Sequence, residues 1–139
     1  MKKITLILSV VIAAFLLQAH SCHKDDYSHV CGADVVCTEI FKAVMIQVKD
    51  NAGNPVKLDD YYTIRLKNDE RISGPGSTPE NGMYVVVDDN FISTLMDKTE
   101  GFKFVGVKNG VEVVSEVYQV RGDCCHVNKD TGKDEVVIP

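Results

Sequence analysis

The chain contains no tryptophan, and its 139 residues include only four prolines and ten glycines. Proline and glycine at this level exclude a collagenous or linker-like polymer. Long apolar runs are also missing. The longest such segment, Ile4 to Leu17, has fourteen residues, short of the roughly 20 that a membrane-spanning helix needs. Mean hydropathy at −0.04 argues against a multi-span membrane protein. There is no excess of positive charge: 15 Lys and Arg against 20 Asp and Glu give −5, which argues against nucleic acid as a partner. The sequence also lacks a G-x-S-x-G elbow, an H-E-x-x-H helix, a phosphate-binding loop and a dinucleotide fingerprint. It therefore reads as a non-enzyme without a cofactor. What is there is 45% hydrophobic and 25% charged, ordinary for one globular domain.

The first residues carry an address. Lys2 and Lys3 precede Ile4–Leu17, which is apolar apart from Thr5 and Ser9, and small residues follow up to Ser21. That order of charge, apolar core and small residues is a secretory signal, so residues 1–21 are expected to be removed. Ser21-Cys22 closing the apolar segment resembles a bacterial lipoprotein box, although Ala19 stands where leucine is usual. The resemblance implies acylation of Cys22 with chains such as palmitate; plain cleavage after Ala19-His20-Ser21 is the alternative. His23, Lys24, Asp25 and Asp26 resemble the export signal of Bacteroidetes-type surface lipoproteins. That likeness implies anchoring in the outer membrane and display at the cell surface. Processing at Cys22 leaves 118 residues with 13 cations against 20 anions, a charge of −7. Residues 22–35 then form a lipidated tether and residues 36–139 the domain.

The domain reads as strands. Val44, Ile46 and Val48 alternate with Met45, Gln47 and Lys49, the period of a half-buried strand. Tyr62, Ile64 and Leu66 alternate with Thr63, Arg65 and Lys67, which predicts a strand with the apolar set facing inward. Met83–Val87 is short and apolar, and Asn109-Gly110 joins Phe102–Val107 to Val111–Val120 as a hairpin. Cys124–Asn128 and Glu135–Ile138 complete the set, and Asn90–Lys98 is the one helical candidate, with Asp88 or Asp89 as its cap. Frequent turns between short strands predict an all-β, Ig-like or transthyretin-like antiparallel β-sandwich with one short helix.

Two stretches carry a family likeness. Val48-Lys49-Asp50-Asn51-Ala52-Gly53-Asn54-Pro55-Val56 resembles the first hairpin of carboxypeptidase regulatory-like domains, and Asn81-Gly82-Met83-Tyr84-Val85-Val86 resembles their second marker. The likeness covers roughly residues 40–120. It implies a prealbumin-like sandwich without catalytic residues, hence a binding or structural module. Across most of its length the chain also looks like small Bacteroidetes lipoproteins with a terminal Cys-Cys-His.

Five cysteines become four once Cys22 is assigned to lipid: Cys31, Cys37, Cys124 and Cys125. An even number in an exported domain predicts two disulfides. Neighbouring strand residues point to opposite faces, so Cys124 and Cys125 are expected to reach back to Cys31 and Cys37, in either of two pairings. The rival reading is a metal-binding or redox protein in which Cys31, Cys37, Cys124, Cys125 and His126 form a thiolate and imidazole set for zinc.

Three further features invite a function. Arg121-Gly122-Asp123 spells an adhesive tripeptide recognised by integrins, and Asp59-Asp60 and Asp88-Asp89 are acidic pairs with turn or cap roles as the simpler explanation. Ser73, Gly74, Pro75, Gly76, Ser77, Thr78 and Pro79 lie in the longest turn-rich stretch, the expected binding loop for an envelope protein or a glycan.

Overall fold

The computed structural model describes residues 31–32, 34–73 and 81–139. The expected signal segment, Cys22 and the tether up to residue 30 lie outside the described residues, as do Gly74 to Pro79 of the expected binding loop. Eight strands run in order: β1 (Ala43–Asp50), β2 (Asp60–Arg65), β3 (Glu70–Ser73), β4 (Met83–Asp88), β5 (Thr99–Lys108), β6 (Val111–Gly122), β7 (Val127–Thr131) and β8 (Glu135–Ile138). They build a three-stranded sheet, β4-β1-β8, facing a five-stranded sheet, β3-β2-β5-β6-β7. The fold is an all-β sandwich. Its ladders are antiparallel except for β1 with β8, which run parallel and depart from the purely antiparallel expectation. β3 falls where the sequence suggested only loop at Ser73, and pairs with β2 from Tyr62–Ser73 to Arg65–Glu70.

Several elements follow directly from local chemistry. In the turn after β1, the Asp50 carboxylate accepts the Ala52 and Asn54 amides at 2.9 and 2.8 Å, and Gly53 takes φ +84°. Asn109 and Gly110 both have positive φ, as a two-residue hairpin turn between β5 and β6 requires. The helix is shorter than expected. A 3-10 turn, Asp89–Phe91, leads into a single α-helical turn, α1 (Ile92–Leu95), because Met96 has already left helical geometry at ψ 123°. Asp88 caps it by accepting the Asn90 amide at 3.0 Å.

The core lies between the sheets. Val44, Ile46 and Val48 enter it from β1, Phe102 and Phe104 from β5, and Tyr118 and Val120 from β6. Burying each of these large side chains contributes about 1.5–3 kcal/mol. The two buried tyrosines keep their hydroxyls satisfied: Tyr84 donates to the Val56 carbonyl at 2.8 Å and accepts the Leu58 amide at 2.6 Å. Tyr118 donates to the Lys133 carbonyl at 2.7 Å, and burial raises its hydroxyl pKa. Gly132, at φ +120°, passes over the Tyr118 ring so closely that a Cβ there would lie 2.2 Å from Cδ1. Only glycine fits that crossing.

One strand faces the opposite way from the sequence expectation. Thr63 is fully buried, with its hydroxyl donating to the Val86 carbonyl of the other sheet at 2.7 Å. Tyr61 packs edge-on against Tyr84 at 4.9 Å, and Arg65 reaches the buried Glu100 at 2.6 Å. Tyr62, Ile64 and Leu66 therefore point outward. The reason is the pairing with β5. Thr63 sits opposite Phe104 and Arg65 opposite Phe102, and directly opposed residues share a face. Two phenylalanines that must be buried outweigh the alternation within β2.

Tyr84→Phe is expected to cost about 1–3 kcal/mol, because the buried Leu58 amide loses its acceptor. Ile64→Ser on the outer face should cost less than about 1 kcal/mol. Urea titration of both variants checks the facing of β2, since an inward Ile64 would make its loss the larger.

Candidate functional site

The residues singled out by their chemistry converge at one end of the sandwich. Asp123 organises the turn between β6 and β7. Its Oδ1 accepts the amides of Cys125 and His126, both at 2.8 Å, and Oδ2 accepts the Asn128 side-chain amide at 2.8 Å. These bonds, led by the Cys125 and His126 amides, hold the Asp123 carboxyl down at about 2. Cys124 and Cys125 lie in this turn rather than on the strand predicted for 124–128, because β7 begins only at Val127. The disulfides are Cys31–Cys124 and Cys37–Cys125, with Cα separations of 5.5 and 5.3 Å. Adjacent cysteines thus serve two partners, as expected, although a turn and not strand alternation sets them apart. The Cys31 sulfur also touches the Met96 thioether at 3.8 Å.

His126 forms a second clasp beside the disulfides. Its Nδ1 lies 2.8 Å from Oδ2 of Asp89, and its Nε2 lies 3.4 Å from the Thr38 hydroxyl. Asp89 also accepts the Lys42 amide at 2.7 Å and the Val127 amide at 2.8 Å. Burial opposes its ionisation, but the donors from Lys42, His126 and Val127 outweigh that, and its pKa is lowered. The segment before β1, the turn after β4 and the turn before β7 are thereby tied together.

Carboxylate, imidazole and hydroxyl stand here in the order of an acyl-transfer triad. Such chemistry also needs donors aimed at a developing oxyanion. The neighbouring amides of Lys42, Cys125, His126 and Val127 are all donated to Asp89 or Asp123. The arrangement fastens the segment before β1 to the turns after β4 and before β7.

The zinc reading fares differently from its sequence promise. Zinc binds cysteine as thiolate, and all four candidate sulfurs are in disulfide bonds. Among the described residues no three His, Cys, Asp or Glu side chains are grouped to hold a metal.

The adhesive tripeptide is not displayed on a turn. Arg121 and Gly122 end β6, and α1 presses against Gly122 so tightly that a Cβ would lie 2.6 Å from the Leu95 carbonyl oxygen. Arg121 pairs with Asp130 at 3.6 Å, and Asp123 is engaged as described. Of the acidic pairs, Asp59 and Asp88 have the expected turn and cap roles, Asp59 accepting the Asn109 amide at 2.6 Å and Asp88 capping the 3-10 turn, while Asp60 pairs with Arg71 at 3.0 Å and Asp89 holds His126.

Two features escaped sequence reasoning. The Asp89–His126 pair joins residues 37 apart, with no motif to mark them. The outward apolar row on β2 escaped because alternation alone does not say which set faces in. Its signal was the Phe102 and Phe104 pair on the neighbouring strand. No family model, curated protein or solved structure matches the chain.

Non-reducing peptide mapping should recover Cys31–Cys124 and Cys37–Cys125. A loop of roughly ninety residues stabilises by about 4–5 kcal/mol in the chain-entropy model, whereas the second bridge, closing a much smaller loop beside the first, adds about 2–3 kcal/mol. Replacing Cys37 and Cys125 together by alanine should therefore cost about 2–3 kcal/mol, and full reduction about 6–8 kcal/mol, close to a small domain's whole stability. Denaturant titrations with and without reductant measure both. For acid, the sign follows from a folded pKa of about 2 against an ordinary 3.8 for Asp123. Its contribution is complete above roughly pH 4 and disappears as pH falls through about 2. Asp123→Ala should flatten the pH dependence of the melting temperature across that window.

Proposed function

We propose that the protein is a non-catalytic lipoprotein of the outer membrane, anchored through acylated Cys22 and displayed at the cell surface, whose sandwich binds an envelope partner. The observation that carries this reading is the clamp. Cys31 and Cys37 are bonded to the turn before β7, and Cys31 follows Cys22 by nine residues. A chain of that length reaches at most about 32 Å, so the clamped end of the sandwich stays near the lipid. Any pull on the anchor meets two covalent links before it meets β1. Paired disulfides suit an oxidising envelope compartment, and several acyl chains supply the stable attachment that one does not.

The likeness to carboxypeptidase regulatory-like domains supports a binding role. Its D-x-x-G-x-P-V stretch forms the tight Asp50-centred turn before Val56. Cys31, Cys37, Cys124 and Cys125 serve strength rather than metal or redox chemistry, and His126 serves the clasp.

Cys22→Ala is expected to move the protein from the detergent phase to the aqueous phase of a Triton X-114 partition, with its melting temperature unchanged. A parent chain found already in the aqueous phase would overturn the lipid reading.

A further inference from the structure

We infer that the outer face of the five-stranded sheet docks an extended segment of a partner protein that is both apolar and acidic. This deepens the binding-module reading and rests on it.

The cross-strand registers lay out the face in rows. Tyr62, Val105 and Ser115 form one, in which Val105 is already buried, Ile64, Lys103 and Val117 the next, and Leu66, Gly101 and Gln119 the third. Leu66 is 43% exposed and Val117 47% exposed, although each lies in or beside a central strand. Leu66 and Gln119 lean over Gly101 in the third row, Leu66 Cδ1 lying 3.0 Å from where a Cβ would be, and a shallow depression beside them is edged by Lys67, Lys98 and Glu100. Contiguous apolar side chains on a sheet face, rimmed by polar ones, mark a contact surface.

Charge says what kind of partner fits. Three carboxylates on or near this face are engaged, Asp60 by Arg71, Asp130 by Arg121, and Glu100 by Arg65 and Lys67, while Glu112, opposite Val107 at the far end of the face, has no ion pair among the described residues. Among the described residues Lys103 and Lys98 have no carboxylate within ion-pair distance. Around Ile64, Leu66 and Val117 the face is therefore cationic, on a chain whose net charge is −5. Carboxylates beside apolar side chains complement it. A glycan would need an aromatic platform, but the Arg71 guanidinium covers the Tyr62 ring at 3.8 Å from its centroid.

The test is selection from a displayed library of random twelve-residue peptides on the full processed chain, with counter-selection on Val117→Asp. Enriched peptides should combine Val, Ile or Leu with Asp or Glu, and shift the amide resonances of Ile64, Lys103 and Val117. Val117→Asp and Lys103→Glu should each weaken binding at least tenfold, with melting temperatures unchanged. Lys103→Glu should in addition prefer lysine versions of the same peptides. Basic or unenriched peptides, equal binding to the variants, an oligosaccharide shifting the same resonances, or a dimer abolished by Val117→Asp would each overturn the proposal. Because none of these readouts involves Cys22, the docking face and the lipid anchor fail separately.

Discussion

Phe102 and Phe104 cannot be left in water on a chain with so few aromatic side chains, and both lie on the same face of β5. Once that face is turned inward, the ladder dictates what its neighbours do. On β2, Thr63 and Arg65 are drawn in opposite the two rings; on β6, Tyr118 is placed opposite Phe102 and Glu116 opposite Phe104. Polar groups carried inside by this constraint have to find partners there. Thr63 finds the Val86 carbonyl, which links the two sheets, and Arg65 finds Glu100. The burial of two rings thus sets both the polar bonds within the sandwich and the apolar surface left outside it.

The clamped end follows a different logic. Beside the buried Leu95 and Val127, its order comes from directed bonds. Two carboxylates, Asp123 and Asp89, gather backbone donors from the turn before β7 and from Lys42 at the entry to β1. With those groups in place, Cys124 and Cys125 are presented to separate partners. The covalent links then act chiefly on the unfolded chain, whose ends they hold together. A segment with little core of its own is kept on the sandwich by these means.

In the proposed function these two regimes divide the molecule's work. The clamp secures the end that the proposed tether leaves from, and the outer face of the large sheet adjoins it where the Lys98 carbonyl accepts the Gly122 amide. In the proposed docking, the lysines on this face of an acidic module would give selectivity by charge and the aliphatic side chains would give area. Neither requires a pocket or a reactive group.

Much of the fold was legible from the chain alone. β1, β4, the β5–β6 hairpin and β8 followed from apolar periodicity and from Asn109-Gly110, because these signals are local. Cysteine parity gave two bridges, and adjacency sent Cys124 and Cys125 back towards Cys31 and Cys37. The helix was longer in sequence than in structure, since Met96 turns away to meet Gly122. Which disulfide partner each cysteine took, which face of β2 was buried, and the meeting of Asp89 with His126 were decided only by tertiary structure. Each depends on a neighbour brought close by the ladder or by the Asp123 turn, and strand alternation is symmetric between its two faces until another strand breaks the tie.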